Sequence, residues 1–367
     1  MTGKQLKNYT GDKFYNGTKL RDTGAPWLCV LSERSDGKSL WWVKEFLIDY
    51  FHTGRRFGYV RRYDTNIKNK DVDGYFKDKN LISWLQKAGY SGLKCWQGEI
   101  WLTAVDDATG KNMRVEMVGN AFAVNAQEGY KSQHYDLYNF VFEEFITKKL
   151  YLPNEFTEFQ NIISTANREG RFRAVLIGNT IARYCPYLRE MGIDIFKAKP
   201  GRIYEQDLKV SGKTIKSAFE YVDPREKDTF FIGRAEKSIV HGEFEADECP
   251  HLYFKLDDAE IIYKCVMVTD QQQAFHVKYI MYETKDICEK YLYIYPMDYA
   301  DIEDCFDDIF TTVPDFEHGY FYNAEKKRQR HMWPLLNAGR VLYSDNLTGT
   351  EFKQSIKKHN PFRYVGR

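Results

Sequence analysis

A Gly-Lys-Ser run between an apolar strand and an apolar helix constrains this chain more than any other feature. Residues 27–31 are apolar and predict a buried strand. After a short polar loop, residues 38–51 carry apolar side chains on nearly all sides, which predicts a well-buried helix. Because the first backbone N–H groups of a helix lack intrahelical partners, this order predicts an α/β fold that binds an anion at the helix N-terminus.

The loop matches the Walker A pattern, Gly-x-x-x-x-Gly-Lys-Ser/Thr, at every fixed position except the first. Lys38 is expected to reach the outer phosphates of a nucleotide, and Ser39 to hold Mg²⁺ through its hydroxyl. Ser32 stands where the first glycine is usual, and its Cβ favours an ordinary backbone angle. A Gly-Lys-Ser run in an unrelated loop is the alternative. The predicted phosphate-binding residues are Ser32, Glu33, Arg34, Ser35, Asp36, Gly37, Lys38 and Ser39.

Two carboxylates follow a second apolar strand, which is predicted over residues 138–142. This is the layout of a Walker B motif. Glu143 is expected to support Mg²⁺ through its water shell, and Glu144 to polarise the attacking water as a general base. Aspartate is commoner at the first position, so Glu143 is a second departure from the pattern. The alternative is a strand that ends in solvated surface charge.

A third apolar strand, predicted over residues 174–178, ends in polar residues. In ATPases that place a strand between the two Walker strands, a polar side chain at this end senses the γ-phosphate. Asn179 is the first candidate for that sensor and Thr180 the second. Taken alone, such a strand end indicates no more than a turn.

Arginines lie between this third strand and a helix predicted to begin after Asn154. Arg168 and Arg171 are placed where they could reach the nucleotide of a neighbouring subunit in a ring, as an arginine finger does. The alternative is a solvated helix end, because the helix dipole favours arginine there. Arg61 and Arg62, at the end of another predicted strand, are further candidate contacts to phosphates or bases.

The composition limits the class of protein rather than its activity. The chain of 367 residues is long enough for two domains, and its 43% hydrophobic residues supply a sizeable core. The net charge is +1, so contact with nucleic acid must come from a local patch. Seven cysteines include no Cys-x-x-Cys pair, which favours a reducing compartment over a disulfide framework or zinc ribbon. A polar N-terminus and the lack of a ~20-residue apolar run predict a soluble, cytoplasmic protein.

The chain is predicted to divide into an ATPase domain at 1–197, a connector at 198–247 and a C-terminal α/β domain at 248–367. The connector is polar and is interpreted as a linker or small helical subdomain. Basic clusters at 326–331 and 353–367 predict sequence-independent contacts with phosphates, with a solvated surface as the alternative. In the C-terminal domain, strands are predicted over 251–256, 259–268, 274–283 and 290–295, and helices over 298–310 and 350–358.

Four blocks of sequence together resemble one family. They are FGYVRRY at 57–63, VFEEFI at 141–146, LPNE at 152–155 and IGN at 177–179. Their order and spacing are similar to those of the DNA-packaging (encapsidation) ATPases of phi twenty-nine-like podophages. The resemblance implies an additional-strand, RecA-like P-loop ATPase domain, with a sheet flanked by helices. It also implies a second, smaller RNase H-like α/β domain that has lost nuclease chemistry.

The same resemblance implies a motor that uses ATP and Mg²⁺ to drive double-stranded DNA into a prohead. Such a motor works in the host cytoplasm, docked transiently at the portal (connector) vertex of the prohead. It forms a ring of identical subunits, usually a pentamer, and whether a structural prohead RNA helps to attach it stays open. Arg168 falls at the family's trans arginine finger. Lys131 falls near a second basic residue thought to act between subunits.

Two other functions remain compatible with these residues. The first is another DNA-translocating P-loop ATPase, such as a helicase, although helicase motifs with their own spacing are not visible. The second is a non-enzymatic nucleic-acid-binding protein with an inactive P-loop, which the departures at Ser32 and Glu143 motivate.

Overall fold

The computed structural model divides the chain into two compact units. The first unit comprises Met1–Lys148 and Leu152–Glu245, and the second comprises Lys149–Tyr151 and Ala246–Arg367. The residues that the structure describes are 7–8, 14–34, 36–131, 135–147, 151–152, 154–168, 170–181, 185–193, 195, 197–223, 249–269, 273–285, 287–302, 308–315, 317–321 and 329–359.

The first unit combines one large sheet with helices. Its helices are α1 (Thr18–Asp22), α2 (Lys38–Thr53), α3 (Asn69–Phe76), α4 (Lys79–Gln86), α5 (Glu155–Ala166) and α6 (Pro186–Glu190). Its strands are β1 (Trp27–Ser32), β2 (Arg56–Arg61), β3 (Gly92–Trp96), β4 (Glu99–Val105), β5 (Asn112–Ala123), β6 (Leu137–Glu143), β7 (Arg173–Asn179), β8 (Arg202–Val210) and β9 (Lys213–Tyr221).

The sheet has nine strands in the order β3-β4-β5-β2-β6-β7-β1-β9-β8. The six neighbouring strands β5, β2, β6, β7, β1 and β9 are parallel. At the two sides of the sheet the pairing is antiparallel, between β3 and β4, between β4 and β5, and between β8 and β9. Strand β7 therefore lies between β1 and β6, as expected for an additional-strand ATPase sheet. Because the carboxyl ends of parallel strands meet at one edge, the loops after β1, β6 and β7 converge there.

Helices cover both faces of the central strands, which explains why those strands are apolar almost throughout. Every residue of β1 is buried, including its terminal serine. On one face, Trp41, Trp42 and Phe46 of α2 pack in the main hydrophobic core. On the other face, Phe159 of α5 contacts Phe142 of β6. In a parallel strand that is covered on both sides, the side chains on both faces are buried. Such a strand is therefore a continuous apolar run, without alternation of polar and apolar residues.

Most of the elements predicted in this unit are confirmed, with two differences. Asn154 precedes α5, but it adopts a left-handed φ of 50° and its side chain makes no capping hydrogen bond. The expected connector at 198–247 does not begin as a helical segment. Residues 202–221 instead form the β8–β9 hairpin, and β9 pairs with β1. This pairing protects the edge of β1, a tertiary requirement that polar composition alone does not reveal. Residues 224–247 lie outside the described residues.

The second unit contains a mixed sheet of six strands in the order β14-β13-β10-β11-β12-β15. Strands β10 to β12 form an antiparallel meander, and β13, β14 and β15 add in parallel. This arrangement belongs to the mixed α/β class expected for the C-terminal domain. The elements are β10 (Ala259–Val268), β11 (Ala274–Glu283), β12 (Cys288–Met297), β13 (Asp308–Thr311), β14 (Gly319–Tyr320), α7 (Gln329–Asn337), β15 (Val341–Tyr343) and α8 (Asn346–His359).

Two predictions in the second unit are wrong. The helix expected over 298–310 is absent from its described part, because Tyr299–Ile302 form a short 3₁₀ turn and Asp308–Thr311 form β13. The strand expected over 251–256 reduces to one isolated bridge between His251 and Tyr343. The first basic cluster lies outside the described residues at 326–328, and the second does so at 360–367.

Two features that bear on the class of protein concern the described ranges only. Within them, no helix has both the length and the apolar character required to span a membrane. The same ranges contain no group of three or more His, Cys, Asp or Glu side chains arranged to hold a metal ion.

Candidate functional site

A pocket of about 330 Å³ opens at the edge where the parallel strands end. It joins the three segments that carry the sequence signals: the Gly-Lys-Ser loop, the carboxylates after β6 and the polar end of β7. The lining residues are Asp36, Gly37, Lys38, Ser39, Leu40, Val43, Asp78, Leu81, Glu143, Glu144, Ile177, Gly178 and Asn179. The strand order therefore turns three separate stretches of sequence into one site.

The loop is shaped by Gly37, the residue that precedes α2. Its φ is 84°, a left-handed conformation that side chains other than glycine rarely adopt. The carbonyl of Gly37 accepts the first helical hydrogen bond, from the N–H of Trp41 at 2.9 Å. Next to it, the carbonyl of Asp36 accepts a hydrogen bond from the N–H of Tyr15 at 2.8 Å. The segment before α1 therefore fixes the loop from outside, and the N-terminus of α2 faces the pocket.

The Lys38 ammonium is folded back onto the loop and is almost fully buried, with 5% exposure. It donates hydrogen bonds to the Ser32 hydroxyl at 2.6 Å and to the Glu33 carbonyl at 2.9 Å. It also lies 3.3 Å from Oδ1 of Asn179. These contacts follow from the sheet register, because Ser32 of β1 pairs directly with Asn179 of β7. An ammonium that donates to a hydroxyl and a carbonyl is well placed to exchange these contacts for the anionic oxygens of a phosphate.

Ser32 keeps an ordinary backbone conformation. It is the last residue of β1, and it is not among the residues with a positive φ. The sequence-based expectation for this position is confirmed. Ser32 occupies the place of the usual glycine, and its hydroxyl accepts a hydrogen bond from Lys38.

The two carboxylates differ in exposure. The side chain of Glu143 is 8% exposed, whereas that of Glu144 is 63% exposed. Glu144 has a φ of 56°, and its N–H donates to the carbonyl of Ile177 at 2.9 Å. This sharp turn at the end of β6 directs the first glutamate into the site and the second toward its open side. A left-handed glutamate is strained by roughly 1–3 kcal/mol, and strain of this kind is common at functional sites.

Arg61, the last residue of β2, bridges both carboxylates. Its guanidinium donates to Glu144 at 2.6 Å and lies 3.7 Å from Glu143. Burial alone would lower the pKa of Arg61, but interaction with the Tyr59 hydroxyl and the charges of Glu144 and Glu143 outweigh it and raise that pKa. Burial, and then the charge of Glu143, raises the pKa of the Tyr59 hydroxyl, which therefore stays protonated near neutral pH. A permanent positive charge thus offsets part of the negative charge of the acidic pair.

Other predicted residues lie away from this pocket. Arg34 is exposed, and Ser35 lies outside the described residues. Lys131 is exposed and pairs with Glu128 at 2.6 Å. Arg168 is exposed just beyond α5. Neither Lys131 nor Arg168 lines the pocket of its own chain.

Arg62 corrects one sequence-based suggestion. Its side chain is 8% exposed and forms an ion pair with Glu155 at 2.9 Å. It is therefore held inside the protein, and the direct phosphate or base contact suggested for it is replaced by a buried contact.

Sequence reasoning missed the part of the pocket that α4 contributes. Asp78 accepts hydrogen bonds from the N–H groups of Asn80 and Leu81, so it caps α4, and both Asp78 and Leu81 line the pocket. An aspartate before an apolar run is a helix-start signal that could have placed the cap. No local pattern shows that this helix end faces the loop, because that contact depends on the chain path between β2 and β3.

Comparison with solved structures gives matches over nearly the whole chain. The packaging motor assembly of bacteriophage Phi-29 is 16% identical, with a TM-score of 0.59, and the match covers 95% of this chain and 100% of that one. The chain shares the fold of a phage genome-packaging motor protein. The Phi-28 gp11 DNA packaging motor is 14% identical with a TM-score of 0.55, and the match covers 95% of this chain and 99% of that one. No protein-family model and no curated protein matches the chain.

The Ser32–Lys38 contact generates a stability prediction. Ser32→Ala removes a buried acceptor of a charged donor, so we expect the nucleotide-free protein to lose about 1.5–3 kcal/mol of unfolding free energy. The measurement is denaturant unfolding without nucleotide. Ser91→Ala is a matched control, because the Ser91 hydroxyl pairs with the neutral hydroxyl of Thr103 at 2.9 Å. It should cost about 0.5–1.5 kcal/mol. Equal losses in the two variants would show that the Ser32–Lys38 bond is not formed in solution.

Proposed function

We propose that this protein is an ATP-driven motor that translocates double-stranded DNA into a viral prohead. The observation that carries the proposal is the meeting of Lys38, Glu144 and Asn179 in one pocket at the carboxyl edge of a parallel sheet. That arrangement supports nucleotide hydrolysis. The DNA-packaging role is supported by a fold shared along 95% of the chain with the Phi-29 and Phi-28 packaging motors.

The pocket suits a magnesium-bound triphosphate. A helix N-terminus, a left-handed glycine and a buried ammonium supply positive potential for phosphates. Ser39 and Glu143 line the same pocket and would hold Mg²⁺, the serine through its hydroxyl and the glutamate through coordinated water. When bound, ATP and Mg²⁺ supply the phosphoryl group to be transferred and neutralise part of its charge. Lys38 would exchange its contact with Ser32 for contacts with the outer phosphates.

Glu144 is the residue proposed to activate the attacking water as general base. In the structure, its carboxylate is held by Arg61 at 2.6 Å. Because Arg61 occupies an oxygen of this carboxylate, we propose that Glu144 must leave Arg61 to contact the attacking water. Asn179, 3.3 Å from the Lys38 ammonium, would sense the γ-phosphate when Lys38 moves toward the nucleotide.

We propose ring assembly to account for the basic residues that lie outside their own pocket. Arg168 and Lys131 are exposed, and we propose that they act on the nucleotide of a neighbouring subunit. An arginine finger supplied in trans is worth ~10³-fold or more in rate. The proposed assembly is a homopentamer at the portal vertex of a prohead in the host cytoplasm. A structural prohead RNA is a further candidate partner there.

The C-terminal domain, 248–367, is proposed to bind nucleic acid or the prohead. The basic clusters at 326–331 and 353–367 would supply sequence-independent phosphate contacts. The ATPase domain proposed at 1–197 is completed in the structure by the β8–β9 hairpin.

The first prediction from this function separates nucleotide binding from hydrolysis. Glu144→Gln keeps the shape of the side chain but removes its basicity, so it should bind Mg-ATP within about twofold of wild type while turnover falls about 10²-fold or more. Lys38→Ala should weaken binding itself, because it removes the buried ammonium. Calorimetry and a phosphate-release assay measure the two effects.

The packaging role has its own readout. Purified protein with proheads and ATP should protect double-stranded DNA from added nuclease, and Lys38→Ala should give no protection. Hydrolysis without protection would contradict the packaging role, and strand separation without proheads would favour a helicase. Absence of Mg-ATP binding to wild type would favour an inactive P-loop.

The second prediction concerns the trans finger. Arg168→Ala should leave Mg-ATP binding nearly intact and abolish turnover, because it removes charge that stabilises only the transition state. In rings mixed with Lys38→Ala subunits, an Arg168→Ala subunit with an intact pocket should regain hydrolysis from its neighbour's arginine. Arg171→Ala, three residues further on, is the control and should retain more activity. Loss of binding in Arg168→Ala would mean that this arginine acts within its own chain.

A further inference from the structure

A buried ion pair lies directly behind the carboxylate pair of the pocket. Nε of Arg62 donates to both carboxylate oxygens of Glu155, at 3.0 and 2.9 Å. Glu155 is the first residue of α5 and is 2% exposed. Its oxygens also accept hydrogen bonds from the Tyr187 hydroxyl at 2.7 Å and the Leu152 N–H at 2.8 Å. The carboxylate of Glu155 is therefore held by Arg62, by Tyr187 of α6 and by the segment between β6 and α5.

The remaining donors of Arg62 point at the turn that carries Glu144. Nη1 donates to the carbonyl oxygen of Glu144 at 3.1 Å, and Nη2 donates to that of Phe145 at 2.6 Å. Two nitrogens of one rigid, planar guanidinium thus donate to two consecutive backbone carbonyls. The first carbonyl belongs to the left-handed residue Glu144 itself, whose φ is 56°, and the second belongs to the residue that follows it. A glutamate held in this conformation needs surrounding contacts that outweigh the strain.

We propose that Arg62 is a positioning residue for Glu144. The Arg62–Glu155 pair fixes the backbone turn after β6, so that the Glu144 side chain projects at the open side of the pocket, where Arg61 holds it at 2.6 Å. Arg61 and Arg62 are neighbours in sequence with separate tasks: Arg61 contacts the carboxylate, and Arg62 contacts the backbone that carries it. The proposal rests on the proposed function, because it assigns Arg62 to the hydrolysis that Glu144 performs.

The chain offers a second, largely buried arginine that does not contact this turn. Arg173, at the start of β7, donates to Oδ1 of Asn139 at 2.9 Å and lies 3.6 Å from Asp49. Arg173 lies at the amino ends of the parallel strands, away from the pocket at their carboxyl ends, because Asn139 and Arg173 pair near the beginnings of β6 and β7. A general loss of stability should appear in variants of either arginine. A loss of positioning should appear only at Arg62.

The test compares Arg62→Lys with Arg173→Lys in the full chain. Lysine retains the charge but cannot hold Glu155 and two carbonyls at once. We expect Arg62→Lys to lower kcat for ATP about 10- to 100-fold while the Kd for Mg-ATP changes less than about twofold. Arg173→Lys should leave kcat within about threefold.

The decisive arm repeats Arg62→Lys in a Glu144→Gln background. If Arg62 acts through Glu144, the residual turnover of Glu144→Gln should not fall further when Arg62 is changed. The same fold loss in both backgrounds, or an equal loss in Arg173→Lys, would overturn the proposal.

Two further outcomes are separable. If Arg62→Lys does not fold by circular dichroism, Tyr187→Phe carries the test, because it removes only the 2.7 Å hydrogen bond to Glu155. A folded Tyr187→Phe should lower kcat a few-fold without a change in Kd, and unchanged kcat would contradict the proposal. A wild-type protein that does not hydrolyse ATP would instead refute the proposed function.

Discussion

The pairing of β7 between β1 and β6 is the constraint on which the site depends. It sets Ser32 beside Asn179 and Glu143 beside Ile177, so the ends of three strands that are distant in sequence share one edge. If β1 paired directly with β6, the amide of Asn179 would not lie next to the loop lysine. The apolar character of these strands permits the order, because helices on both faces bury β1, β6 and β7 almost throughout.

Charge pairing within this edge explains how the site tolerates so many ionisable groups. The Lys38 ammonium donates to the Ser32 hydroxyl and the Glu33 carbonyl, and Arg61 offsets part of the charge of two carboxylates. A triphosphate with Mg²⁺ would compete for both sets of contacts, since its oxygens attract the ammonium and its metal attracts Glu143. The proposed cycle therefore exchanges internal partners for ligand partners, without creating an isolated buried charge at either stage.

The sequence predicted the parts of the fold that local periodicity encodes. The strands at 27–31 and 174–178, the helix at 38–51 and the residues of the loop were found because apolar runs and a short motif mark them. The β8–β9 hairpin was missed because its polar residues suit an exposed strand as well as a linker, and only pairing with β1 decides between them. Arg62 was misassigned for a related reason, since its partner Glu155 lies 93 residues away. The contribution of Asp78 to the pocket likewise depends on the path of the chain rather than on its neighbours in sequence.

A structure of the protein with Mg²⁺ and a non-hydrolysable ATP analogue would test the account most directly. The account predicts the triphosphate in the pocket at the end of β1, β6 and β7, with Lys38 moved from the Ser32 hydroxyl to a phosphate oxygen. Glu144 should have left Arg61 and lie within ~3 Å of a water aligned with the γ-phosphate. A nucleotide bound elsewhere, or one bound with Lys38 and Glu144 still in their nucleotide-free contacts, would contradict it.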